Sequence, residues 1–174
     1  MGELIEQFIL KHLGNKSSGA EVGLEALDDA AVIDDIVLKS DSHVVKPIFF
    51  PGGDIGRLSV SGTVNDISCL GAEPFALACG FVLEEGLALA DFERILVSMR
   101  RACNEAGAYV ITGDTKVVEK GSLGGCVINV SGIGRRTEAL EQDIIVVKQF
   151  RKSFNGRWLL DSNFRVGDKI ILSG

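Results

Sequence analysis

PGGDIGRLSVSGTVNDISCLGAEP, residues 51–74, is the stretch around which the fold is organised, and its pattern predicts a central helix. Asp54 is a favourable N-cap, because its side chain can accept a hydrogen bond from an early free N–H. The helical pattern starts at Ile55, and Gly71 followed by Pro74 ends it. At about 100° per residue, one face of this helix carries Ile55, Leu58, Gly62, Asp66 and Cys69.

Asp66 is the exception on this face, which is otherwise apolar or small. A buried carboxylate without a partner is very costly, so Asp66 needs a cation or hydrogen-bond donors if it faces the core. The alternative is that Asp66 lies at the rim and accepts a hydrogen bond from a backbone N–H. Gly62, with Ser59 beside it, would let another element approach the helix closely.

Composition favours one globular domain of ordinary size, because the 174 residues are 46% hydrophobic. The formal net charge of −6 disfavours a nucleic-acid partner, which would require a basic face. A nucleotide is still compatible with this charge, since Mg²⁺ and backbone N–H groups can meet its phosphates. The sequence carries no signal-peptide pattern and no apolar stretch long enough for a membrane span.

The four cysteines are Cys69, Cys79, Cys103 and Cys126, and no two of them form a CxxC pair. A structural zinc site is therefore not expected. Cys69 and Cys103 lie on apolar helix faces, which predicts that they are small core residues. A reducing cytoplasm is the simplest setting for such thiols, so we expect a cytoplasmic protein.

The other elements indicate an α/β or α+β fold, with a mixed sheet covered by helices on one face. The patterns predict helices over 3–13 and 90–107, the second capped by Asp91, and strands over 30–33, 36–39, 75–83, 108–118 and 126–133. Asp34 and Asp35 fit a hairpin turn between the first two strands. Gly113 interrupts its strand, which often marks a bulge or a close approach.

The predicted domain organisation is an N-terminal domain over 1–134, a basic linker or excursion over 135–165, and the first strand of a further domain over 166–174. Basic residues and the only tryptophan, Trp158, cluster in the excursion. Acidic residues interrupt them, which favours a solvated face over RNA binding. Within this segment, 144–147 is strand-like in composition.

Acidic residues at element ends form the candidate site, which comprises Asp28 and Asp29, Asp41, Asp66 and Asp114. Each one alone fits turn or cap chemistry. Together they suit a hard cation such as Mg²⁺ that bridges to phosphates. The sequence has no P-loop, so a phosphate site would be built from aspartates, metal and Lys116.

Four motifs carry a resemblance to a known family: DSHVVKPIFFPGGDIG (41–56), GTVNDISCLGAEP (62–74), GFVLEEG (80–86) and TGDTKVV (112–118). They resemble the HypE family of hydrogenase maturation proteins. That family belongs to the superfamily of aminoimidazole ribonucleotide synthetase, selenophosphate synthetase and thiamine-monophosphate kinase. The resemblance covers roughly residues 28–134 and then the terminal VGDKIILSG.

The resemblance implies a homodimer whose N-terminal halves pair through a β-barrel-like sheet and bind Mg-ATP. It implies an ATP-dependent dehydration of a protein thiocarboxamide to a thiocyanate, which supplies the cyanide ligands of [NiFe] hydrogenase. The implied metal ligands are Asp29, Asp41, Asp66 and Asp114. The implied nucleotide contacts are these four aspartates together with Asp28, Asn65, Thr115 and Lys116. Lys116 would be catalytic, stabilising the charge that develops at the phosphorylated amide oxygen.

The implied partners are the carbamoyl transferase and the iron-delivery proteins of hydrogenase maturation. This chain corresponds to the N-terminal half of the family, and none of its cysteines matches the family's C-terminal substrate cysteine. We therefore expect it not to complete the dehydration alone, so enzyme activity of this chain stays open. Two alternatives remain, a related kinase such as thiamine-monophosphate kinase and a non-catalytic dimerisation or scaffold module.

Overall fold

The computed structural model describes residues 2–14 and 19–172. The N-terminal helix predicted over 3–13 is present as α1 (Gly2–Leu4), a π-helical turn (Ile5–Leu10) and α2 (Lys11–Leu13). None of its described residues is buried. The segment therefore forms locally but adds nothing to the core of the described residues.

The centre of the fold is a five-stranded sheet in the order β1-β2-β7-β5-β6. Its strands are β1 (Ala31–Ile33), β2 (Ile36–His43), β5 (Glu73–Glu84), β6 (Tyr109–Val118) and β7 (Cys126–Arg135), while β3 (Phe49–Phe50) and β4 (Gly53–Asp54) pair separately. Of these described strands, β5 and β6 alone run parallel to each other, so the sheet is mixed as predicted. A helical crossover joins them, which parallel strands require.

The β1–β2 hairpin turns at Asp34 and Asp35, whose φ angles are 49° and 60°. Both residues are left-handed, which matches the twist of a two-residue hairpin and confirms the predicted turn. β2 continues four residues beyond the predicted end at 39, because every residue from Ile36 to His43 pairs with β7. This extension carries Asp41 and His43 into the sheet.

The central helix α3 (Ile55–Cys69) begins as predicted. The Asp54 carboxylate accepts hydrogen bonds from the N–H groups of Gly56 and Arg57 at 2.8 and 3.0 Å. The predicted buried face is partly wrong. Leu58 and Cys69 are exposed, and the buried residues of α3 are Ile55, Gly56, Ser59, Val60, Thr63 and Ile67. The helix packs against β2 and β7 on one side and against a second helix on another. The residues that it buries therefore differ from those on the predicted face.

That second helix, α4 (Leu89–Ala106), packs on α3 with Ile95, Met99 and Cys103 buried. Cys103 is thus a core residue, as predicted. The predicted cap Asp91 is wrong, because the helix begins earlier. Its N-cap is Ala88, and Asp91 lies in the first turn. Gly107 ends the helix at φ 68°, as the pattern indicated.

The predicted strand-like segment 144–147 is instead part of helix α5 (Glu138–Phe150). Leu140 and Ile144 are buried at helical spacing, and the Thr137 hydroxyl caps the helix. The solvated-face interpretation is also wrong for Trp158, which is 1% exposed. Its ring packs in a second core cluster with residues that include Leu140, Val32, Ile67 and Leu70.

The predicted division of the chain at residues 134 and 165 remains a prediction. Residues 166–172 form no strand within the described part of the chain, and Ser173 and Gly174 lie outside it. Among the described residues, no helix combines the length and the apolar character needed to cross a bilayer.

Candidate functional site

The centre of the site is the Lys39 ammonium, which lies between two of the predicted acidic positions. Lys39 Nζ is 2.6 Å from Asp66 Oδ2 and donates to the Asp29 carbonyl oxygen at 2.9 Å. Alternation along β2 turns Lys39 and Asp41 toward α3, where Asp66 lies on the facing side. Asp66 is therefore paired with a cation, as expected for a carboxylate that faces the core, rather than bonded to a backbone N–H at the rim. Lys39 is not among the predicted site residues, although it lies two residues before Asp41.

His43 is the next residue along the same face of β2, and it is 8% exposed. Its Nε2 is 3.5 Å from Asp41 Oδ2, and within the described residues Nε2 has no hydrogen-bond partner. A Cβ atom on Gly62 would lie 2.7 Å from His43 Cε1, so the glycine permits the close approach that its position suggested. Burial lowers the pKa of His43, against the opposing effect of Asp41 and Asp66. The imidazole is therefore neutral at pH 7.

Asp28 and Asp29 extend the cluster toward the segment after α5. The Asp28 carboxylate accepts from the N–H groups of Asp29 and Asp161, each at 3.0 Å. Burial first, and the Asp29 carboxylate next, raise the pKa of the Cys69 thiol. Cys69 is exposed rather than a core residue as predicted. Burial, followed by the charges of Asp28 and Asp29, raises the pKa of Asp161.

Asp114 and Lys116 form a second group on β6. Lys116 Nζ is 3.1 Å from Asp114 Oδ2, and the Thr115 N–H donates to Asp114 Oδ1 at 2.9 Å. The Lys116 ammonium first and the Thr115 N–H next lower the pKa of Asp114. Both charged side chains are about 70% exposed. The pair is therefore largely solvated and open to a ligand.

The two groups lie apart within one chain. Ser42 alternates with Asp41 and His43 along β2, so it lies on the face of the sheet opposite α3, which we call the helix-free face. Asp114 pairs in register with Gly80 and Gly80 with Asn129, whose side chain bonds Ser42 on that face. Asp114 and Lys116 thus lie on the face opposite Asp41, and three strand spacings of about 4.8 Å separate β6 from β2. One chain brings together Asp28, Asp29, Asp41 and Asp66, but not Asp114, Thr115 and Lys116. Asn65 precedes Asp66 on α3 and is exposed.

The group formed by Asp28, Asp29, Asp41 and Asp66 has the oxygen donors that Mg²⁺ prefers. Its oxygens already hold a cation, the ammonium of Lys39, between Asp66 and Asp29. Within the described residues, however, no group of three or more His, Cys, Asp or Glu side chains could hold a metal ion unaided. Mg²⁺ usually binds one or two carboxylates and takes its other ligands from water and substrate phosphates. The donor set therefore suits a metal that arrives with a nucleotide.

A cavity of about 560 Å³ adjoins this group. Asp28, Asp29 and Cys69 form one wall, and α5 with residues 154–168 forms the rest. The cavity is not predictable from the sequence pattern, because the basic composition of the segment that closes it favours a solvated excursion.

The family model for the N-terminal domain of AIR synthase related proteins matches residues 27–136. This range contains Asp28, Asp29, Asp41, Asp66 and the β6 pair. The cavity wall formed by α5 lies outside it.

Similar proteins in other organisms carry hydrogenase maturation names. A putative hydrogenase expression/formation protein of Methanocaldococcus jannaschii is 43% identical over 178 residues, which are 100% of this chain and 48% of that protein. The carbamoyl dehydratase HypE of Azotobacter vinelandii is also 43% identical over 178 residues, which are 100% of this chain and 46% of that protein. The chain thus spans about half the length of these curated relatives.

Among solved structures, a HypE–HypF complex matches at TM-score 0.70 and 47% identity, over 76% of this chain and 42% of that one. HypE in complex with ATP matches at TM-score 0.58 and 47% identity, over 78% of this chain and 40% of that one. Thiamine monophosphate kinase from Aquifex aeolicus, at 20% identity and TM-score 0.57 over 78% of this chain and 42% of that one, shares the fold alone. The chain therefore belongs to the family of AIR synthase related proteins, as an N-terminal domain, and it is similar to the hydrogenase maturation protein HypE.

Proposed function

We propose that this chain is the Mg-ATP-binding half of a HypE-like dehydratase, which converts a protein thiocarboxamide to a thiocyanate for the cyanide ligands of [NiFe] hydrogenase. The observation that carries the proposal is that oxygens of Asp29 and Asp66 together hold a cation, the ammonium of Lys39. All three residues lie inside the matched family domain. The similarity to proteins named carbamoyl dehydratase HypE and to a HypE–ATP complex supports it.

In this proposal Asp29, Asp41 and Asp66 hold the metal end of the nucleotide. Bound Mg²⁺ would neutralise phosphate charge and bridge the phosphates to these carboxylates. Lys39 pairs with Asp66 at 2.6 Å, so its ammonium would be available to a phosphate bound at these carboxylates. Asp28 orients the neighbouring backbone, and exposed Asn65 contacts the nucleotide from α3.

Asp114, Thr115 and Lys116 enter this proposal through a second copy of the chain. The helix-free face of the sheet and its edge strand β6 are exposed, and Ile111 in β6 is 71% exposed. An exposed edge strand with apolar side chains is a natural pairing surface. A homodimer built on this surface would cover the apolar residues and bring Lys116 toward the partner's nucleotide. There the ammonium would stabilise charge on the phosphorylated amide oxygen.

We expect Ile111→Glu to convert the dimer to a monomer, because it places a carboxylate in the pairing surface. Leu89→Glu is the matched control, since Leu89 is 83% exposed at the start of α4, away from that surface. Sedimentation velocity measures the change. If Ile111→Glu stays dimeric, or if the unmodified chain is a monomer, the β6 surface does not form the dimer.

We expect Asp66→Ala to weaken Mg-ATP binding by about 10- to 100-fold or more, because loss of even an outer-shell partner of a metal site typically costs about 10- to 100-fold in metal affinity. Asp91→Ala should leave binding unchanged, since Asp91 contributes only a favourable charge in the first turn of α4. Titration calorimetry with Mg-ATP, repeated in EDTA, measures both variants. Equal losses in the two variants would remove Asp66 from the site.

The same titration separates the alternative functions. A dimerisation or scaffold module need not bind Mg-ATP, so metal-dependent binding argues against it. A kinase such as thiamine-monophosphate kinase is supported only by a shared fold at 20% identity. The HypE–HypF complex supports a hydrogenase maturation protein as partner. Carbamoyl transferase and iron-delivery partners, and a cytoplasmic setting, belong to the same proposal.

A further inference from the structure

A second cavity, of about 300 Å³, lies between α4 and the β5–β6 edge of the sheet. Three of its lining residues carry sulfur: Cys79 on β5, and Met99 and Cys103 on α4. All three residues are buried and belong to one core cluster. This space, which we call the sulfur cavity, shares none of its described lining residues with the cavity beside Asp28 and Asp29.

The periodicity of the two elements brings the three sulfur-bearing side chains to one space. Met99 and Cys103 are four residues apart, so they lie one turn apart on the same face of α4. Both are buried in the cluster that also contains Cys79, so this face packs on the sheet at β5. The charge of Cys103 contributes to the pKa shift of Cys79, which places the two thiols within electrostatic reach of each other. The helix and the strand thus present three soft donors from two sides.

Both cysteines of the sulfur cavity are protonated thiols at pH 7. Burial first, and the charge of Cys103 next, raise the pKa of Cys79 to about 12. Burial also raises the pKa of Cys103, against the opposing effect of the Val110 N–H. Thiols of this kind are poor nucleophiles, because the thiolate is the reactive form. A cation that binds here must therefore displace thiol protons, which thiophilic metals do and hard cations such as Mg²⁺ do not.

The sulfur cavity has an opening through which an ion can enter. Leu96 on α4 and Tyr109 and Val110 on β6 line it, and all three residues are exposed. The buried sulfur atoms therefore lie behind a rim that solvent reaches. An entry path of this kind is one of the requirements for a metal site.

The donor set selects the kind of metal. Thiolate and thioether ligands favour soft ions such as Cu(I), whereas a structural Zn²⁺ site takes four nitrogen or sulfur ligands. Among the described residues, no group of three or more His, Cys, Asp or Glu side chains could hold a metal ion. The sulfur cavity differs from such groups, because its third donor is the thioether of Met99. Three sulfur donors leave Zn²⁺ one ligand short and suit a soft monovalent ion.

We propose that the sulfur cavity is a binding site for a soft monovalent cation, Cu(I), with Cys79 and Cys103 as thiolate ligands and Met99 as a thioether ligand. Binding is a ligand exchange without oxidation or reduction. A chelating carrier releases Cu(I), bonds form from the metal to the three sulfur atoms, and the two thiol protons pass to the buffer. The inference does not depend on the proposed function, since none of the residues assigned to the nucleotide takes part.

Anaerobic titration with Cu(I), in competition with the chromogenic chelator bathocuproine disulfonate, measures the affinity. We expect a single Cu(I) per chain and release of both thiol protons. Cys79→Ala and Cys103→Ala should each lower the affinity by more than the about 10- to 100-fold that loss of even an outer-shell partner of a metal site costs. Met99→Leu conserves the apolar volume and should lower it by about tenfold.

Cys126→Ala is the matched control for these variants. Cys126 is buried in the same core cluster but is not among the described lining residues of the sulfur cavity. This variant should bind Cu(I) as tightly as the unmodified chain does. An equal loss of affinity in Cys126→Ala and Cys79→Ala would overturn the proposal. Loss of binding in Cys69→Ala would also overturn it, because the ion would then be held by the exposed thiol of Cys69.

Thermal unfolding of the unmodified chain tests the site without any substitution that could impair folding. A Cu(I) ion that joins α4 to β5 binds the native state, so the melting temperature should rise with Cu(I) concentration. Far-UV circular dichroism checks that the alanine variants are folded, and in them the rise should be lost. An unchanged or lowered melting temperature of the unmodified chain would show that the ion binds the thiols of the unfolded chain at least as well, and the proposal would be wrong.

Discussion

Replacing Trp158 with alanine is expected to lower the free energy of unfolding by about 3–5 kcal/mol, the usual cost of truncating a buried tryptophan. The side chain is 1% exposed and packs in the second core cluster with Leu70 and Leu140. The Leu159 N–H also donates to the Leu70 carbonyl oxygen at 3.3 Å. Loss of the ring would therefore loosen α5 from the sheet and open the cavity beside it.

Urea unfolding followed by far-UV circular dichroism measures this effect, because Trp158 is the only tryptophan and its fluorescence is lost with it. Trp158→Phe is the matched variant. It keeps most of the apolar area and removes Nε1, which has no hydrogen-bond partner within the described residues. We expect a cost below about 1.5 kcal/mol for this change. An alanine variant as stable as the phenylalanine variant would contradict the buried position.

Replacing Gly113 with alanine is expected to cost about 3 kcal/mol or more, toward the upper end for overpacking. A Cβ atom there would lie 2.0 Å from the Cys79 carbonyl oxygen. Gly113 pairs with Cys79 across β5 and β6, just beyond an irregularity in that pairing. The obstacle is backbone rather than a flexible side chain, so relief requires the two strands to separate.

Gly80→Ala is the control for this change, because Gly80 lies on β5 next to the same pairing and a Cβ atom there would be 3.8 Å from its nearest neighbour. We expect that variant to change stability by less than about 1 kcal/mol. Thermal and urea unfolding of both variants provide the comparison. Equal stability of the two alanine variants would show that β6 does not pair closely with β5 at this point.

The candidate site was partly predictable. The TGDTKVV motif located Asp114 and Lys116, and spacing on the central helix located Asp66. The partner of Asp66 was not predictable, because it depends on β2 lying beneath α3, a contact between residues far apart in the chain. The separation of Asp114 from Asp41 likewise depends on the strand order, which places β7 and β5 between them.

The sequence by itself determined the local features of this protein: the Asp54 cap, the Asp34–Asp35 turn, the Gly107 helix end and the motifs of its family. These features depend on hydrogen bonds and backbone angles within a few residues, so short patterns are enough to predict them. Only the tertiary structure decided that Lys39 lies between Asp66 and Asp29 and that Trp158 is buried. Both arise because burial and ion pairing depend on which distant segments pack together, and a local pattern does not carry that information.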